Sequence, residues 1–492
     1  MKNQILFLRV LRVFRVLSIC STLLSWRRIS IIFATSWAIC FTTFAGIGKN
    51  GIVFLSVDGM GSGHLKIAEA IEHATKARAD LLRAQGLESI GVSEKVVLLN
   101  DFMTPEMKNL FGRQYLQFAQ NHPFLNELIY THLSKLTTLE IRNLINSAFI
   151  SKALAQALME DSPIEIVSFN ALEAQMVDAM KLKGWIPQQV KSTQVVTDNA
   201  VTPIYNSPGL VILPHPNLVD EMVDLGKDPA WIEYVHGIPS GPQFHSPYEQ
   251  ALVRAELNAT LGNVLRSEID DPQILSKMNL NAPLGTNETV VFASGGGEGI
   301  GLDQFLDFVP NWNPNESVIV LLVCGKNASA YRKSLELIKS GKLSQKISLV
   351  PRPFVRDGMD ALQKASHFAV GKPGGSATAE AIALRLPYFV FTSLAAQEKR
   401  NLEFLTKRGV IAMLKLPELN DITAMKHKSA QIKLAQSREY PNPGLIPDEV
   451  AKIIIDHALH GSKPDTEKFT NVLPKPLAIF CRYLLTRGQT QR

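Results

Sequence analysis

Residues 51–82 read GIVFLSVDGMGSGHLKIAEAIEHATKARADLL. Ile52 to Val57 is an uncharged run the length of one buried strand, Asp58 to His64 is a glycine-rich turn, and the apolar residues that follow recur at helical spacing. Strand, glycine turn and helix in that order open a parallel α/β unit. The pattern returns at 289–309, with TVVFA as strand, SGGGEGIG (Ser294 to Gly301) as turn and LDQFLDFV as helix. Apolar runs such as IEIVSF, STQVVTD, SVIVLLVCG and PYFVFTS alternate with helical stretches through the rest of the chain. That alternation predicts two doubly wound parallel sheets with helices on both faces. The linker is expected at Asp270–Asn287, where Asp-Asp-Pro and Asn-Ala-Pro interrupt the pattern.

A chain of 492 residues has room for two such domains, each large enough for its own core. Apolar residues at 46% and charged residues at 20% exclude a disordered chain and a multi-span membrane protein. Cys20, Cys40, Cys324 and Cys481 lie far apart, which argues against a disulfide framework or a structural zinc site. The net charge of +6 is local: seven basic residues and no acidic ones fall in residues 1–49, which leaves the rest of the chain at −1. A body without basic bias does not suit nucleic acid, and none is expected as a partner.

The basic arm carries a different message. Residues 5–17 (ILFLRVLRVFRVL) space Arg9, Arg12 and Arg15 three apart among apolar residues, and Ile29 to Gly48 is a stretch without charge. Arginines beside a broad apolar face suit a helix lying in a membrane interface against anionic headgroups. Twenty uncharged residues are also long enough to span, and Thr43-Phe44-Ala45 offers a cleavage point after an unusually long leader. Of the three readings, the interfacial anchor is the one expected, with the body on the cytoplasmic side. The tail Lys475 to Arg487 (KPLAIFCRYLLTR) is a second basic and apolar stretch.

The chemistry concentrates in residues 367–401, HFAVGKPGGSATAEAIALRLPYFVFTSLAAQEKRN. His367 to Val370 reads as a strand, Gly371 to Ser376 as an open loop, and a helix is expected from near Ala377 with Glu380 in its first turn. The helix start suits a diphosphate. Glu380 fits two roles, acceptor for a ribose diol or ordinary first-turn acid. Gln397 and Asn401 lie four apart, on one helix face, and could grip sugar hydroxyls or simply form a polar surface. Neither glycine turn fits G-x-G-x-x-G, which makes a dinucleotide enzyme a poor reading, and no G-x-x-x-x-G-K-[ST] loop occurs, so a P-loop NTPase is excluded.

This stretch resembles the family 28 glycosyltransferases, in particular the monogalactosyldiacylglycerol synthases and the processive diacylglycerol glucosyltransferases. The residues that carry the resemblance are Lys372-Pro-Gly-Gly, Ala379-Glu380-Ala381, the box Gln397-Glu398-Lys399-Arg400-Asn401 and the turn Gly295 to Gly301. Upstream, Asp58 through His64, Val196-Thr197-Asp198 and Gly237-Ile238-Pro239 are similar to the family's motifs in the same order. Two departures fall in the acceptor half, where the run Asp198 to Tyr205 lacks the family's His and Trp and the first glycine loop is one residue longer, and one falls in the donor half, where Ser376-Ala377-Thr378 stands in place of the usual Thr.

The resemblance implies a GT-B fold, two Rossmann-like domains facing a cleft, and an inverting transfer that needs neither metal nor cofactor. Residues 1–49 would form the membrane arm, 50–270 the acceptor domain, 287–446 the donor domain and 447–492 a closing helix and tail. The donor implied is UDP-glucose or UDP-galactose and the acceptor a membrane lipid, diacylglycerol first. Gly295, Gly296, Gly297, Gly374, Gly375 and Ser376 would cradle the diphosphate, Glu380 hold the ribose, and Phe354 and Val355 meet the uracil. Gln397 and Asn401 would fix the sugar, and Gly61 and Gly63 belong to the acceptor loop. His64 has a suitable intrinsic pKa for the base. Asp198 either competes for that role or orients the histidine. Two alternatives stay open: N-acetylglucosamine transfer to a polyprenyl-diphosphate lipid, and a tethered UDP-sugar-binding protein without activity.

Overall fold

A computed structural model of the chain describes residues 51–461, except 59–62, 88–89, most of 110–149, 203–204, 286 and 395–396. The expected membrane arm, the basic tail and Gly61 lie outside the described residues.

The strands fall into two all-parallel sheets. The first holds β1 (Gly51–Ser56), β2 (Gly91–Val92), β3 (Val97–Leu98), β4 (Glu165–Ser168), β5 (Lys191–Val195), β6 (Leu210–Leu213) and β7 (Ile232–Tyr234), in the order β2-β1-β4-β5-β6-β7, with β3 also on β1. The second holds β8 (Thr289–Ser294), β9 (Val318–Val323), β10 (Ile347–Arg352), β11 (Phe368–Gly371), β12 (Tyr388–Val390) and β13 (Ala412–Met413), in the order β10-β9-β8-β11-β12-β13. Every residue of β1, β8 and β9 is buried, as parallel strands covered on both faces require. The two-domain α/β class expected from the sequence is borne out.

Each sheet reverses its strand order beside its first strand, between β1 and β4 and again between β8 and β11. The carboxyl ends of strands at such a switch leave a crevice where ligands bind. The helices that start there are α1 (Gly63–Ala84) after β1, α2 (Ala171–Leu182) after β4 and, in the second sheet, the helix after β11. Further along, α3 (Gln250–Glu268) precedes β8 and α4 (Ala328–Ser340) follows β9. The helix after β11 is α5 (Gly375–Ala383), followed by α6 (Gln397–Lys407) and finally α7 (Ile446–His460).

Core membership divides the chain differently from the expected linker. Leu261 and Leu265 of α3, with Ile274 and Leu284 beyond it, are buried in the core of the second sheet. The last helix, α7, returns to the first: Val450, Ile454 and Ile455 share a core with Ile67 and Ile71 of α1. Arg78 Nη1 meets Asp448 Oδ2 at 3.0 Å, and His457 Nδ1 meets the fully buried Glu165 Oε2 at 2.8 Å. Apolar residues spread around the circumference of α3 give no clear face, which is why proline punctuation was a poor guide to its allegiance.

One cap bears directly on the crevice. Asn327 precedes α4, accepting from the Ala330 N–H at 2.9 Å while its Nδ2 donates to the Gly299 carbonyl at 3.2 Å. It thus ties the helix start to the glycine turn after β8. Replacing Asn327 by alanine is expected to cost about 1–2 kcal/mol of stability, read from denaturant unfolding, because both a cap and a turn bond are lost.

Candidate active site

A cavity of about 200 Å³ lies where the strand ends of the two sheets meet. Of the residues singled out from the sequence, Gly63, His64, Asp198, Gly296, Gly297, Phe354, Val355, Gly374, Gly375, Ser376, Glu380 and Gln397 line it. Gly295 sits behind in the same turn, with its N-terminal neighbour Ser294 accepting from Gly296 N–H at 3.2 Å. Asn401 is fully buried and does not reach the cavity wall.

On the first-sheet side, His64 is the second residue of α1 and half-buried. Its Nδ1 lies 2.8 Å from Thr197 Oγ1, whose hydroxyl donates to the Phe169 carbonyl at 3.3 Å. With the Thr197 proton on the Phe169 carbonyl, Nδ1 carries the imidazole hydrogen and Nε2 is the acceptor nitrogen, a tautomer assigned from the network. The amide Nδ2 of Asn170 stands 3.4 Å from Nε2, a donor facing an acceptor. Burial holds the His64 pKa below 6.5; the Lys372 charge adds to that, while Asp198 and the Phe169 carbonyl oppose it.

Asn170 is itself held firmly. Its Oδ1 caps α2 through the Leu172 N–H at 2.9 Å, and Glu173 Oε2 accepts from the Asn170 and Phe169 N–H groups at 3.0 and 2.8 Å. This is a capping box in which the carboxyl is fully buried. Burial pushes its pKa up to about 8, against the pull of those backbone donors.

On the second-sheet side, α5 starts at Gly375, two residues earlier than expected, because Gly374 already adopts the extended cap conformation. Glu380 therefore falls in the second turn, not the first. Its Oε1 accepts from Ser376 Oγ and its Oε2 from Gln363 Nε2, both at 2.9 Å. Glu380 thereby stands one helical turn behind the Gly375–Ser376 N–H groups, with carboxylate lone pairs still available for a diol. Val355 is buried beside Phe354, which is 43% exposed and has the Lys326 ammonium over its ring, 6.0 Å from the centroid.

The two halves are clasped through α6. Gln397 Nε2 donates to Asp198 Oδ2, and Asn401 Nδ2 donates to Asp198 Oδ1 at 2.8 Å. Tyr205 O–H donates to Asp198 Oδ2 at 3.4 Å, Asn401 Oδ1 accepts from the Asn199 N–H at 2.7 Å, and Arg400 Nη1 donates to the Val201 carbonyl at 3.1 Å. Gly375 presses so closely on the Thr197 carbonyl that a methyl group there would collide with it. The hydrogen bonds of Asp198 thus go to α6 and Tyr205, whereas Thr197 and Asn170 are the partners of His64.

Thr197 and Lys372 stand in motifs that the sequence made visible but without a role, and Asn170, Gln363 and Tyr205 were given none either. Asn170 had a legible signal, the Asn170-Ala-Leu-Glu173 spacing of a capping box directly after a strand. For Gln363 and Tyr205 no local pattern exists, since their partners are remote in the chain.

Two Rossmann-like sheets sharing one crevice define the GT-B class of architecture, and comparison with known proteins bears out the resemblance read from the motifs. The chain is 26% identical over 400 residues to the chloroplastic monogalactosyldiacylglycerol synthase 1 of Arabidopsis thaliana, covering 77% of this chain and 66% of that protein. It is 24% identical over 264 residues to the processive diacylglycerol beta-glucosyltransferase of Bacillus subtilis, covering 53% of this chain and 54% of the relative. Among solved structures, MurG of Acinetobacter baumannii aligns with a TM-score of 0.46 at 11% identity, over 82% of this chain and 99% of that one. No family model matches the chain.

Proposed function

We propose that this chain is an inverting, metal-independent glycosyltransferase that moves a hexose from UDP-glucose or UDP-galactose to the hydroxyl of a membrane lipid, diacylglycerol first. The observation that carries the reading is the cavity itself: His64 on one wall faces glycine loops and the Ser376–Glu380 helix start on the other. The names of the relatives, one a galactolipid synthase and one a diacylglycerol glucosyltransferase, support the acceptor class. The basic apolar arm seen in the sequence supports a site at a membrane surface, on its cytoplasmic face. Among the described residues no helix is long and apolar enough to cross a membrane.

In this reading Nε2 of His64 removes the acceptor hydroxyl proton as the oxygen attacks the sugar C1 from the face opposite the diphosphate. The C1–O bond breaks and its electron pair stays on the β-phosphate oxygen. Backbone N–H groups at Gly297 and the start of α5 stabilise that charge. Glu380 holds the ribose diol, Phe354 and Val355 flank the uracil, and Gln397 contacts the sugar. Asn401, buried behind Gln397, holds Asp198 in register. The linkage of the product tests the mechanism. NMR of the glycolipid made from an α-linked UDP-hexose is expected to show the β-anomer, and an α-linked product would overturn inversion.

The ribose assignment has its own check. Glu380→Ala is expected to weaken UDP binding by about 10- to 100-fold, the loss of hydrogen bonds to a charged acceptor. Calorimetry on the variant should also show UDP and 2′-deoxy-UDP binding alike.

A further inference from the structure

The cavity also holds a largely buried ion pair. Lys372 leaves the end of β11 and its ammonium pairs with Glu398 Oε1 on α6. Both side chains are largely shielded from water, at 17% and 11% exposure. A surface ion pair would carry no message, but this one is placed by its surroundings. A Cβ on Gly296 would stand 3.0 Å from Lys372 Cε, and one on Gly374 would stand 3.2 Å from Nζ. The ammonium therefore lies between the two glycine loops, at the point where their backbones approach each other. Tyr388 O–H donates to the Lys372 carbonyl at 2.9 Å, and Glu398 Oε2 accepts from the Leu394 N–H at 2.8 Å, so each end of the pair is anchored. Lys66 and Lys372 are the lysines among the described lining residues, and Lys66 belongs to α1 on the opposite wall.

We propose that Lys372 is a catalytic residue that receives the departing nucleoside diphosphate, and that Glu398 is a positioning residue that holds the ammonium between the glycine loops until the donor arrives. The inference rests on the glycosyl-transfer reading above. A diphosphate entering the loops meets a cation already desolvated and aimed, so little reorganisation is needed when charge develops. As the C1–O bond breaks, the electron pair passes to the β-phosphate oxygen and the ammonium donates a hydrogen bond to it. No proton leaves Lys372, since the acceptor proton goes to His64. Glu398 keeps its bond to the Leu394 N–H when the lysine turns to phosphate, so the carboxylate is not left without a partner.

The test separates phosphate recognition from nucleoside recognition. Calorimetry of the full chain with UDP and with uridine is expected to show Lys372→Met weakening UDP by about 10- to 100-fold while leaving uridine unchanged, the signature of one charge-assisted hydrogen bond. Lys372→Arg should recover a large part of the loss. Turnover with the UDP-hexose should fall by about 100- to 1,000-fold in the methionine variant, the size seen when one donor to a developing anion is removed. Glu398→Gln provides a second route that keeps the lysine: with the carboxylate that aims it gone, the ammonium should bind UDP several-fold less tightly, with uridine unmoved. UDP affinity unaltered by Lys372→Met, or raised by Glu398→Gln, would overturn the proposal. A wild-type chain that binds UDP no better than uridine would instead remove the glycosyl-transfer reading, and this inference with it.

Discussion

Replacing His64 by alanine is expected to lower glycosyl transfer by about 100- to 10,000-fold, the usual worth of a positioned general base, while leaving UDP affinity unchanged. The expectation follows from where the ring sits. His64 touches Thr197 and Asn170 of the first half, and none of its hydrogen bonds goes to the glycine loops of the second. Loss of the ring therefore removes a proton acceptor without removing a donor contact. The pH profile adds a sign. Burial keeps the His64 pKa below 6.5, so the base form is fully present at neutral pH and transfer is lost only as pH falls through that lowered value. An acid limb of kcat in the wild type, lying below pH 6.5, is the expected record. Thr197→Val should lower kcat as well, since it removes the hydroxyl that fixes the tautomer.

Asp198→Asn is expected to lower kcat/KM by about 100-fold and to destabilise the chain by about 1–3 kcal/mol, the cost of a buried donor left facing another donor. The carboxylate accepts from Gln397, Asn401 and Tyr205 together. An asparagine in its place must turn one N–H group toward an amide that also donates. Because Asn401 is fully buried, no water relieves that conflict. The variant also discriminates between the two roles the sequence left open for Asp198. As a clasp residue, its replacement leaves the histidine acid limb in the pH profile; as the base, its replacement would abolish the limb and the activity together. Denaturant unfolding and a kcat/KM profile on the same preparation separate the two effects.

The fold was legible because its signals are local. Uncharged runs such as Val318–Val323 followed by glycine turns need no partner to be recognised, and both first strands and the Gly295–Gly301 turn stand where the sequence put them. The site was legible in types of residue but less in their alliances. Gln397 and Asn401 share a helix face, as their spacing demands, yet that face meets a carboxylate of the other half. Nothing within α6 could announce that Asp198 would be its partner. The same limit hid Lys372, whose importance comes from two glycine loops that are separated by over seventy residues of chain. The start of α5 was misplaced for a smaller reason, since glycines at 374 and 375 look like loop until the backbone shows that one caps and the other begins the helix.

The central claim is transfer from a UDP-hexose to a lipid hydroxyl, and release of UDP by the purified full chain measures it most directly. Diacylglycerol liposomes would be offered with UDP-glucose, UDP-galactose or UDP-N-acetylglucosamine, beside His64→Ala and Glu380→Ala as controls. Release is expected to require both the lipid and one of the two hexose donors, and to collapse in both variants. UDP release that ignores the lipid, or that survives the loss of His64, would contradict it.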